Sequence, residues 1–389
     1  MTLRENMKLE EKMSFVKSPE KLSFDNLVQE VVEKGNCHGC GGCISFCSAD
    51  RIGALEMGEG NFPRYADKEK CLDCGICYLI CPQTTVLKEE VRAKFGWRFP
   101  IGLYRDVFSA RTTDEDILKV STDGGVVTSL LLYMLENNLI DGAVVSERTG
   151  LFSRKPIVAT SRDELIQAAG SQFSESFHLE EIGDRYTTFV PTIRIIRESI
   201  PKSLNRLAVV GTPCQIETIR KMQLLSILPA DVITFTVGLF CMQSFALDDL
   251  MKKRFAKKHR INLKDIVKLN VKEDFILTMN SGMTLRIPLE EIEEVAKPPC
   301  LTCRDFANDY ADISVGGVGS PDGYTTVLIR TIPGQRIYTE ALHQGYIKHK
   351  SERNIQEKQA EKSRMLSLIE AFAERKRKRA EKRLSTIDS

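Results

Sequence analysis

Two cysteine-rich stretches, CHGCGGCISFC at residues 37–47 and CLDCGICYLICP at residues 71–82, decide the fold of the first part of this chain. Both have the spacing Cys-x2-Cys-x2-Cys-x3-Cys, which is typical of proteins that bind two 4Fe–4S clusters. In those proteins the fourth cysteine of each run binds the cluster of the other run. The spacing therefore predicts two ligand sets with exchanged fourth members, which are Cys37, Cys40, Cys43 and Cys81 for one cluster and Cys71, Cys74, Cys77 and Cys47 for the other.

A zinc module is the alternative interpretation of these runs, because Cys-x2-Cys pairs also bind zinc. Zinc takes four ligands in two pairs, and it has no use for the third cysteine of each triplet. The glycines at 39, 41, 42 and 75 let the backbone turn close to a cluster. The spacing therefore favours iron–sulfur clusters over zinc.

The composition limits the classes of protein to consider. The chain has 389 residues, of which 42% are hydrophobic and 28% charged, and this is enough for two or three domains with their own cores. The net charge of +2 gives no overall field that would attract nucleic acid. Eight of the 12 cysteines lie in the two runs, so a disulfide scaffold is not indicated.

The N-terminal residues and the cysteine runs predict the cellular compartment of the protein. The first 24 residues mix Glu and Lys and lack the apolar run of a signal peptide. Clusters need reduced thiolates, which indicates a cytoplasmic and anaerobic setting. We therefore expect a soluble cytoplasmic protein, with association at the periphery of a membrane complex left open.

The pattern after residue 96 changes to alternating strands and helices, which predicts a mixed α/β domain with a partly parallel sheet. The expected strands are Val107–Arg111, Gly142–Ser146, Leu207–Val210 and Val232–Phe240, and the expected helices are Val126–Asn137 and Gln215–Leu225. The fold class is thus α+β for the N-terminal module and α/β beyond it. The predicted divisions are a polar leader (1–35), a ferredoxin-like domain (36–95), the α/β domain (96–335) and a basic amphipathic helical tail (336–389).

Two glycine-containing turns precede predicted helices, at Ser121–Thr128 and at Gly211–Gln215. We interpret both as strand–turn–helix junctions, where free N–H groups at a helix start could bind a phosphate. On the turn chemistry alone an ordinary turn is the favoured interpretation. The dinucleotide fingerprint GxGxxG and the phosphate-loop motif GxxxxGKS are both missing from the sequence.

Four further cysteines follow at strand ends or turns: Cys214, Cys241, Cys300 and Cys303. Three separate turns could bring them to one metal centre. The alternatives are a third 4Fe–4S cluster, a zinc site, a redox disulfide between Cys300 and Cys303, or unrelated buried cysteines. The spacing does not decide among them, but two clusters in the same chain favour a third as an electron acceptor.

The C-terminal segment has an apolar stripe, Met365, Leu368, Ile369 and Phe372, followed by the basic run RKRKR at 375–379. This spacing is typical of an amphipathic helix. A solvated helix is one interpretation. Docking to a partner subunit is the second, and binding to an acidic membrane surface is the third.

Taken jointly and in order, the motifs resemble the coenzyme F420 hydrogenase/dehydrogenase beta-subunit family over residues 36–320. Besides the cysteine runs, the resemblance rests on DGGVVT at 123–128, GSQF at 170–173, GTPCQ at 211–215, GLFC at 238–241, KPPCLTCRDF at 297–306 and ADISVG at 311–316. It implies an oxidoreductase subunit that binds FAD beside a third 4Fe–4S cluster, held by Cys214, Cys241, Cys300 and Cys303. Such a subunit exchanges a hydride with coenzyme F420, its substrate, and single electrons with partner subunits of a larger complex.

The resemblance also implies a set of cofactor-binding residues: Ser121, Gly124, Gly125, Thr128, Gly170, Ser171, Gly211, Thr212 and Gln215. Asp305 and Asp312 are weaker candidates, because an aspartate near a strand is more often a cap. The sequence names no catalytic proton-transfer residue. The candidate complexes are a hydrogenase, a formate dehydrogenase, a heterodisulfide reductase or a membrane-bound F(420)H(2) dehydrogenase, in anaerobic metabolism such as methanogenesis. The rival hypotheses are a related ferredoxin-dependent flavoreductase of another substrate, a flavin-free electron-transfer subunit and a zinc-bearing scaffold.

Overall fold

The computed structural model describes residues 22–148 except 59 and 61, and residues 154–170, 204–244, 249–351 and 354–387. These residues form two compact units. The first consists of residues 22–96 together with 217–231, and the second consists of residues 97–170, 204–216 and 232 onwards. The division passes through one helix, Pro213–Leu225.

The first unit is built around short helices and one hairpin of strands β1 (Leu55–Met57) and β2 (Pro63–Tyr65). Its helices are α1 (Phe24–Leu27), which continues as a π-helix (Val28–Val32), α2 (Gly42–Ala49), α3 (Ile76–Leu79), α4 (Lys88–Phe95) and the 3-10 turns Lys68–Lys70 and Ala230–Val232. Phe24, Leu27 and Ile44 form one apolar cluster, and Phe46 and Ile80 form another with Met222 and other residues of the 217–231 segment. Burial of these side chains holds the cysteine runs in place.

The second unit contains an eight-stranded mixed sheet, so the predicted mixed α/β architecture is confirmed. Its strands are β3 (Asp106–Thr112), β4 (Gly142–Arg148), β5 (Arg154–Ala159), β6 (Leu207–Gly211), β7 (Ile233–Leu239), β11 (Ile313–Gly316), β12 (Thr325–Ile329) and β13 (Ile347–His349). The order across the sheet is β13-β3-β12-β11-β7-β6-β4-β5. The four neighbours β11, β7, β6 and β4 are parallel, and the remaining pairs are antiparallel.

A separate three-stranded antiparallel sheet belongs to the same unit, with β8 (Ile266–Val271), β9 (Asp274–Met279) and β10 (Thr284–Pro288). The helices are α5 (Glu115–Val120), α6 (Val126–Glu136), α7 (Arg162–Gln167), the start of α8 (Pro213–Leu225), α9 (Asp249–His259), α10 (Ile332–His343) and α11 (Ile355–Ile387). The 3-10 turns are Leu263–Asp265, Leu289–Val295 and Pro298–Leu301. No helix in the described part of the chain is both long and apolar enough to span a membrane.

One predicted junction is wrong. The turn at Ser121 does not follow a strand, because the short helix α5 lies between β3 and this turn. The Asp114 side chain caps α5 by accepting hydrogen bonds from the backbone N–H groups of Asp116 and Ile117. The turn therefore connects helix to helix, and its glycines serve to start α6.

The C-terminal stripe also corrects an expectation. Met365, Ile369, Phe372 and Ala373 of α11 are buried against the three-stranded sheet and neighbouring residues of the second unit. The apolar face is thus used inside the chain. It is not available as the docking face for a partner or membrane that the sequence suggested.

A buried carboxyl group, Asp309, gives the second unit a predicted pH dependence. Burial, together with the repulsion from Asp305, raises the pKa of Asp309 to about 7. Since the folded state then binds a proton that the unfolded state has lost, stability should fall as the pH rises from about 4 to about 7. The expected loss is up to about 4 kcal/mol for a shift of roughly three pKa units.

Thermal unfolding of the wild type and of Asp309→Asn, measured across this pH range, checks the prediction. The amide introduced by this substitution could still accept the hydrogen bond that Trp97 Nε1 donates to Asp309 at 2.7 Å, so the variant should show a flatter pH profile. Asp116→Asn, at an exposed position on α5, is the control and should keep the wild-type slope. Equal slopes in all three proteins would contradict the assignment.

Candidate functional site

The second unit contains a cavity of about 350 Å³ at the carboxyl ends of its parallel strands. It is lined by Ser146 from β4, Gly211 from β6, Leu239 from β7 and Gly316 from β11. Ligands of open α/β sheets bind at this edge, beyond the carboxyl ends of the strands. Both the position of the cavity and its mostly apolar walls are therefore typical of a cofactor site.

Seven of the nine predicted cofactor-binding residues line this one cavity: Ser121, Gly125, Thr128, Gly170, Gly211, Thr212 and Gln215. They come from turns far apart in the sequence, and the parallel strands bring those turns together. The resemblance implied these residues, and the fold gives them a common location.

The other two predicted residues are placed differently. Ser171 lies outside the described residues. Gly124 does not line the cavity; its N–H donates to Thr325 Oγ1 at 2.9 Å. A Cβ on Gly124 would lie 2.5 Å from the carbonyl oxygen of Ala110, so this glycine is needed for close packing against the sheet.

The start of helix α6 forms one wall of the cavity. Gly125 is the N-cap residue with φ 70°, a left-handed conformation that favours glycine. A Cβ at Gly125 would meet Ser121 Oγ at 2.7 Å. Because the first turn of an α-helix presents unpaired N–H groups, the Gly125–Thr128 segment can bind an anionic group in the cavity.

The turn after β6 forms a second wall. The buried Gln215 side chain accepts hydrogen bonds through Oε1 from Thr212 N at 2.8 Å and Thr212 Oγ1 at 2.9 Å. These bonds fix the turn that leads from the strand into α8. Gln215 therefore orders the cavity wall, and the Thr212 hydroxyl is already used inside the protein.

A polar group at one end of the cavity was missed by the sequence analysis. Lys272 is nearly buried, with Nζ 2.8 Å from Asp322 Oδ1 and 3.8 Å from Asp123 Oδ1. Asn270 donates to Asp123 at 2.8 Å, while burial raises the pKa of Asp123. The cluster forms because the three-stranded sheet lies next to the turn before α6, which carries Asp123. No local sequence motif predicts this contact.

In the first unit, the eight cysteines lie around two small cavities. One is lined by Cys37, Cys40, Cys43 and Cys81. The other is lined by Cys47, Cys71, Cys74 and Cys77. Cys77 also borders the first cavity. The two sets correspond to the predicted ligand sets with exchanged fourth members.

Electrostatics within these sets agrees with that grouping. Burial raises the pKa of Cys81 to about 12, with repulsion from Cys40 and Cys37 adding to it. Burial likewise raises the pKa of Cys74, with repulsion from Cys71 and Cys47. Without a metal these buried thiols stay protonated, whereas a bound cluster would stabilise them as thiolates, the form in which cysteine binds metal. The donor set therefore fits a metal cluster.

The segment 217–231 supplies contacts that the sequence analysis did not predict. Lys221 on α8 is fully buried, and its Nζ donates to the carbonyl oxygens of Cys81 at 2.6 Å and Thr84 at 3.0 Å. Burial lowers the pKa of Lys221.

Gly42 leaves the space that Thr218 occupies, since a Cβ on Gly42 would lie 2.3 Å from Thr218 Cγ2. His38, a neighbour of the first cavity, contacts Gln83 Nε2 at 2.6 Å through its own Nε2.

The remaining four cysteines follow the parallel strands. Gly211 of β6 pairs with Gly238 of β7, and Cys214 and Cys241 each come three residues later. Burial raises the pKa of Cys241 to about 12, Lys376 opposes this shift, and Cys300 and Cys303 increase it. Cys241 also lines the large cavity. Cys241 thus lines the cavity and lies within electrostatic range of Cys300 and Cys303.

Cys214 lies at the start of α8. The Cys214 sulfur lies 3.2 Å from Thr212 Oγ1, in the turn that forms the cavity wall. The buried Asn308 side chain donates to the carbonyl oxygens of Gly211 at 2.9 Å and Leu239 at 3.2 Å. Asn308 therefore ties the ends of β6 and β7, the strands that lead to Cys214 and Cys241.

The two weaker aspartate candidates have structural roles. Asp312 Oδ2 accepts hydrogen bonds from the N–H and the hydroxyl group of Thr236 at 2.9 and 2.8 Å. Asp305 accepts from the backbone N–H groups of Asn308 and Asp309 at 2.7 and 3.0 Å. Within the described part of the chain, no group of three or more His, Cys, Asp or Glu side chains is arranged to hold a metal ion. A 4Fe–4S cluster has a different requirement, because each of its four irons takes one protein ligand.

The sequence matches the models of a known family. Residues 107–182 match the N-terminal part and residues 204–354 the C-terminal part of the coenzyme F420 hydrogenase/dehydrogenase beta subunit. The coenzyme F420 hydrogenase subunit beta of Methanosarcina barkeri is 35% identical over 256 residues, which are 64% of this chain and 83% of that protein. The chain belongs to the coenzyme F420 hydrogenase/dehydrogenase beta-subunit family.

Two further similarities extend this result. The coenzyme F420 hydrogenase subunit beta of Methanothermobacter thermautotrophicus is 31% identical over 290 residues, which are 73% of this chain and 95% of that protein. A chain in the structure of the F420-reducing NiFe hydrogenase complex from Methanosarcina barkeri superposes with a TM-score of 0.61 and 29% identity. That match covers 75% of this chain and 94% of the other. The similarity therefore includes most of the fold.

Proposed function

We propose that this protein is an F420-linked oxidoreductase subunit that binds FAD and three 4Fe–4S clusters and transfers electrons between coenzyme F420 and a partner complex. The observation that carries the proposal is the cavity at the strand ends, because seven predicted FAD-binding residues and Cys241 share its walls. A bound flavin would supply the ability to exchange a hydride with F420 and single electrons with clusters. The two hydrogenase relatives are, by their names, F420-linked enzymes.

The residues of this chain have distinct parts in the proposed site. The start of α6 offers N–H groups to the phosphates of FAD, and the glycine at 125 allows that approach. The turn at Thr212, held by Gln215, closes the opposite wall. The buried side chain of Phe306 gives the cavity an apolar wall. We propose Cys214, Cys241, Cys300 and Cys303 as ligands of a cluster next to it.

The two cysteine sets of the first unit would hold the other clusters. One is Cys37, Cys40, Cys43 and Cys81, and the other is Cys47, Cys71, Cys74 and Cys77. Clusters in addition to a flavin site would carry single electrons away from the flavin, towards a further acceptor. We therefore propose partner subunits of a larger complex, in line with the hydrogenase complex to which the chain is similar.

Anaerobic mixing of the purified chain with reduced coenzyme F420 tests this function. We expect rapid loss of flavin absorbance and of cluster absorbance, because a flavin held in this cavity would supply both hydride acceptance and one-electron transfer to clusters held by the cysteine sets. Bound flavin that does not respond would indicate another substrate. Absence of flavin after reconstitution would indicate an electron-transfer subunit without FAD.

A cavity-filling variant tests the location of the flavin. Ala169 lines the cavity, whereas Ala360 is exposed on α11. Ala169→Phe should lower the bound flavin several-fold and leave the iron content unchanged, because the added ring occupies the space of the ligand. Ala360→Phe is the matched control and should bind flavin as the wild type does. Equal flavin content in both variants would place the flavin elsewhere.

A further inference from the structure

The C-terminal helix α11 lies outside the segment, residues 204–354, that matches the C-terminal family model. It is nevertheless built into the second unit. Its Phe372 lines the large cavity and contacts Phe306, with ring centroids 5.4 Å apart. The helix therefore contributes to the proposed site, although the family resemblance assigns nothing to it.

Lys376 is one turn beyond Phe372 and is only 1% exposed. Its Nζ donates to the carbonyl oxygen of Cys241 at 2.6 Å and to that of Asp305 at 2.7 Å. Both acceptors are neutral backbone groups. A buried ammonium group is costly unless negative charge lies near it. Cys241, Cys300, Cys303 and Asp305 lie near this ammonium group and would supply that charge, the cysteines as thiolates that bind a cluster.

Arg379, about one helical turn after Lys376 on α11, contacts the same region of the backbone. It donates to the carbonyl oxygens of Met242 at 2.9 Å and Cys300 at 3.2 Å. Thus two cations of α11 bind the backbone on both sides of the cysteine set, at the loop after β7 and at the turn Pro298–Leu301. The Cys241 N–H in turn donates to the Phe306 carbonyl oxygen at 2.9 Å.

We propose that Lys376 is a positioning residue for the third cluster, holding the Cys241 loop and placing a fixed positive charge that favours the reduced cluster. The proposal rests on the third cluster of the proposed function. Reduction adds one negative charge to a cluster, and its potential depends on nearby charge and hydrogen bonds. A cation buried beside the cysteines therefore raises the reduction potential, and its charge is only weakly screened there.

The test is a redox titration of the complete chain, followed by electron paramagnetic resonance. The signal that Cys241→Ala removes identifies the third cluster. Lys376→Met should shift the midpoint of that signal to a more negative potential, by about 59 mV for a tenfold change in a one-electron equilibrium. The other two clusters should keep their midpoints. Lys378→Met is the matched control, because Lys378 is on the same helix but 73% exposed and pairs with Glu374.

Each outcome of these titrations either supports or overturns the proposed role of Lys376. A shift in Lys376→Met without a shift in Lys378→Met supports the proposal, and an unchanged midpoint in Lys376→Met overturns it while leaving the third cluster in place. If Lys376→Met loses the third signal, Lys376→Arg is the deciding variant. Retention of the signal in Lys376→Arg supports a requirement for positive charge, and loss in both variants overturns it in favour of packing alone. A wild-type chain without a third signal refutes the third cluster, and the inference falls with it.

Discussion

Replacing Cys81 by alanine should remove about four of the roughly twelve iron atoms proposed per chain, and the lost cluster should be the one proposed for Cys37. Cys81 lies 34 positions beyond the end of the first run, yet it lines the same cavity as Cys37, Cys40 and Cys43. A cubane cluster takes one thiolate at each iron, so loss of one ligand exposes that iron and destabilises the whole cluster. The measurement is iron and sulfide content together with the low-temperature resonance spectrum.

Double variants establish which cluster is lost. Adding Cys37→Ala to Cys81→Ala should cause no further loss, because both residues belong to one set. Adding Cys71→Ala should remove about four more iron atoms, because Cys71 lines the other cavity. The reverse result, with Cys71 silent and Cys37 additive, would show that each run binds its own cluster. Ser48→Ala, next to Cys47, is the control and should keep all the iron.

The parts of the site that the sequence predicted are those that depend on local spacing or on a strand followed by a turn. Cysteine spacing defined the two sets around Cys37 and Cys71, and the strand pattern predicted β6 and β7 within one or two residues. The predicted turn at Ser121 was placed after a strand because the short helix α5 has only six residues and no clear apolar period. Short elements of this kind depend on their caps, which the sequence signals weakly.

The residues that the sequence did not predict act over long distances in the chain. Lys221 binds the carbonyl group of Cys81, and Lys376 binds that of Cys241, across 140 and 135 positions. A lysine in a basic run is usually solvated, and RKRKR at 375–379 gave no sign that one of its lysines is buried. Only the packing of α11 makes Lys376 differ from Lys378. Both buried lysines donate to the backbone of a proposed cluster ligand, so tertiary contacts decide these parts of the site.

Arg330 is a position where a single substitution should strongly destabilise the second unit. Its guanidinium group is buried and donates to the carbonyl oxygens of Ile101, Leu103 and Ala307 at 2.9, 2.8 and 2.8 Å, and to Ser314 Oγ at 2.5 Å. The carboxyl oxygen Oδ1 of Asp309 lies 3.9 Å from Arg330 Nη2. One side chain thus joins the chain entering β3, the segment after Cys303 and strand β11.

Arg330→Met keeps much of the length and apolar volume of the side chain but removes every donor. Each buried acceptor left without a partner costs about 1–3 kcal/mol, and four acceptors lose their donor in this variant. We therefore expect a loss of at least about 4 kcal/mol in the free energy of unfolding, measured by urea denaturation at constant cluster content. Because Ala307 lies between Cys303 and the Asn308 that ties β6 to β7, the variant should also lose the third cluster before the other two.

Arg286→Met is the matched control for this experiment. The Arg286 side chain is 57% exposed, and its Nη1 atom lies 3.8 Å from Asp274 Oδ2, so the lost ion pair should cost less than about 1 kcal/mol. A similar small loss in Arg330→Met would contradict the role of Arg330, because four buried acceptors cannot lose their donor without a large penalty unless water replaces it. A large loss limited to Arg330→Met would show that the segment carrying Cys300 and Cys303 owes its position to a buried cation as well as to the strands.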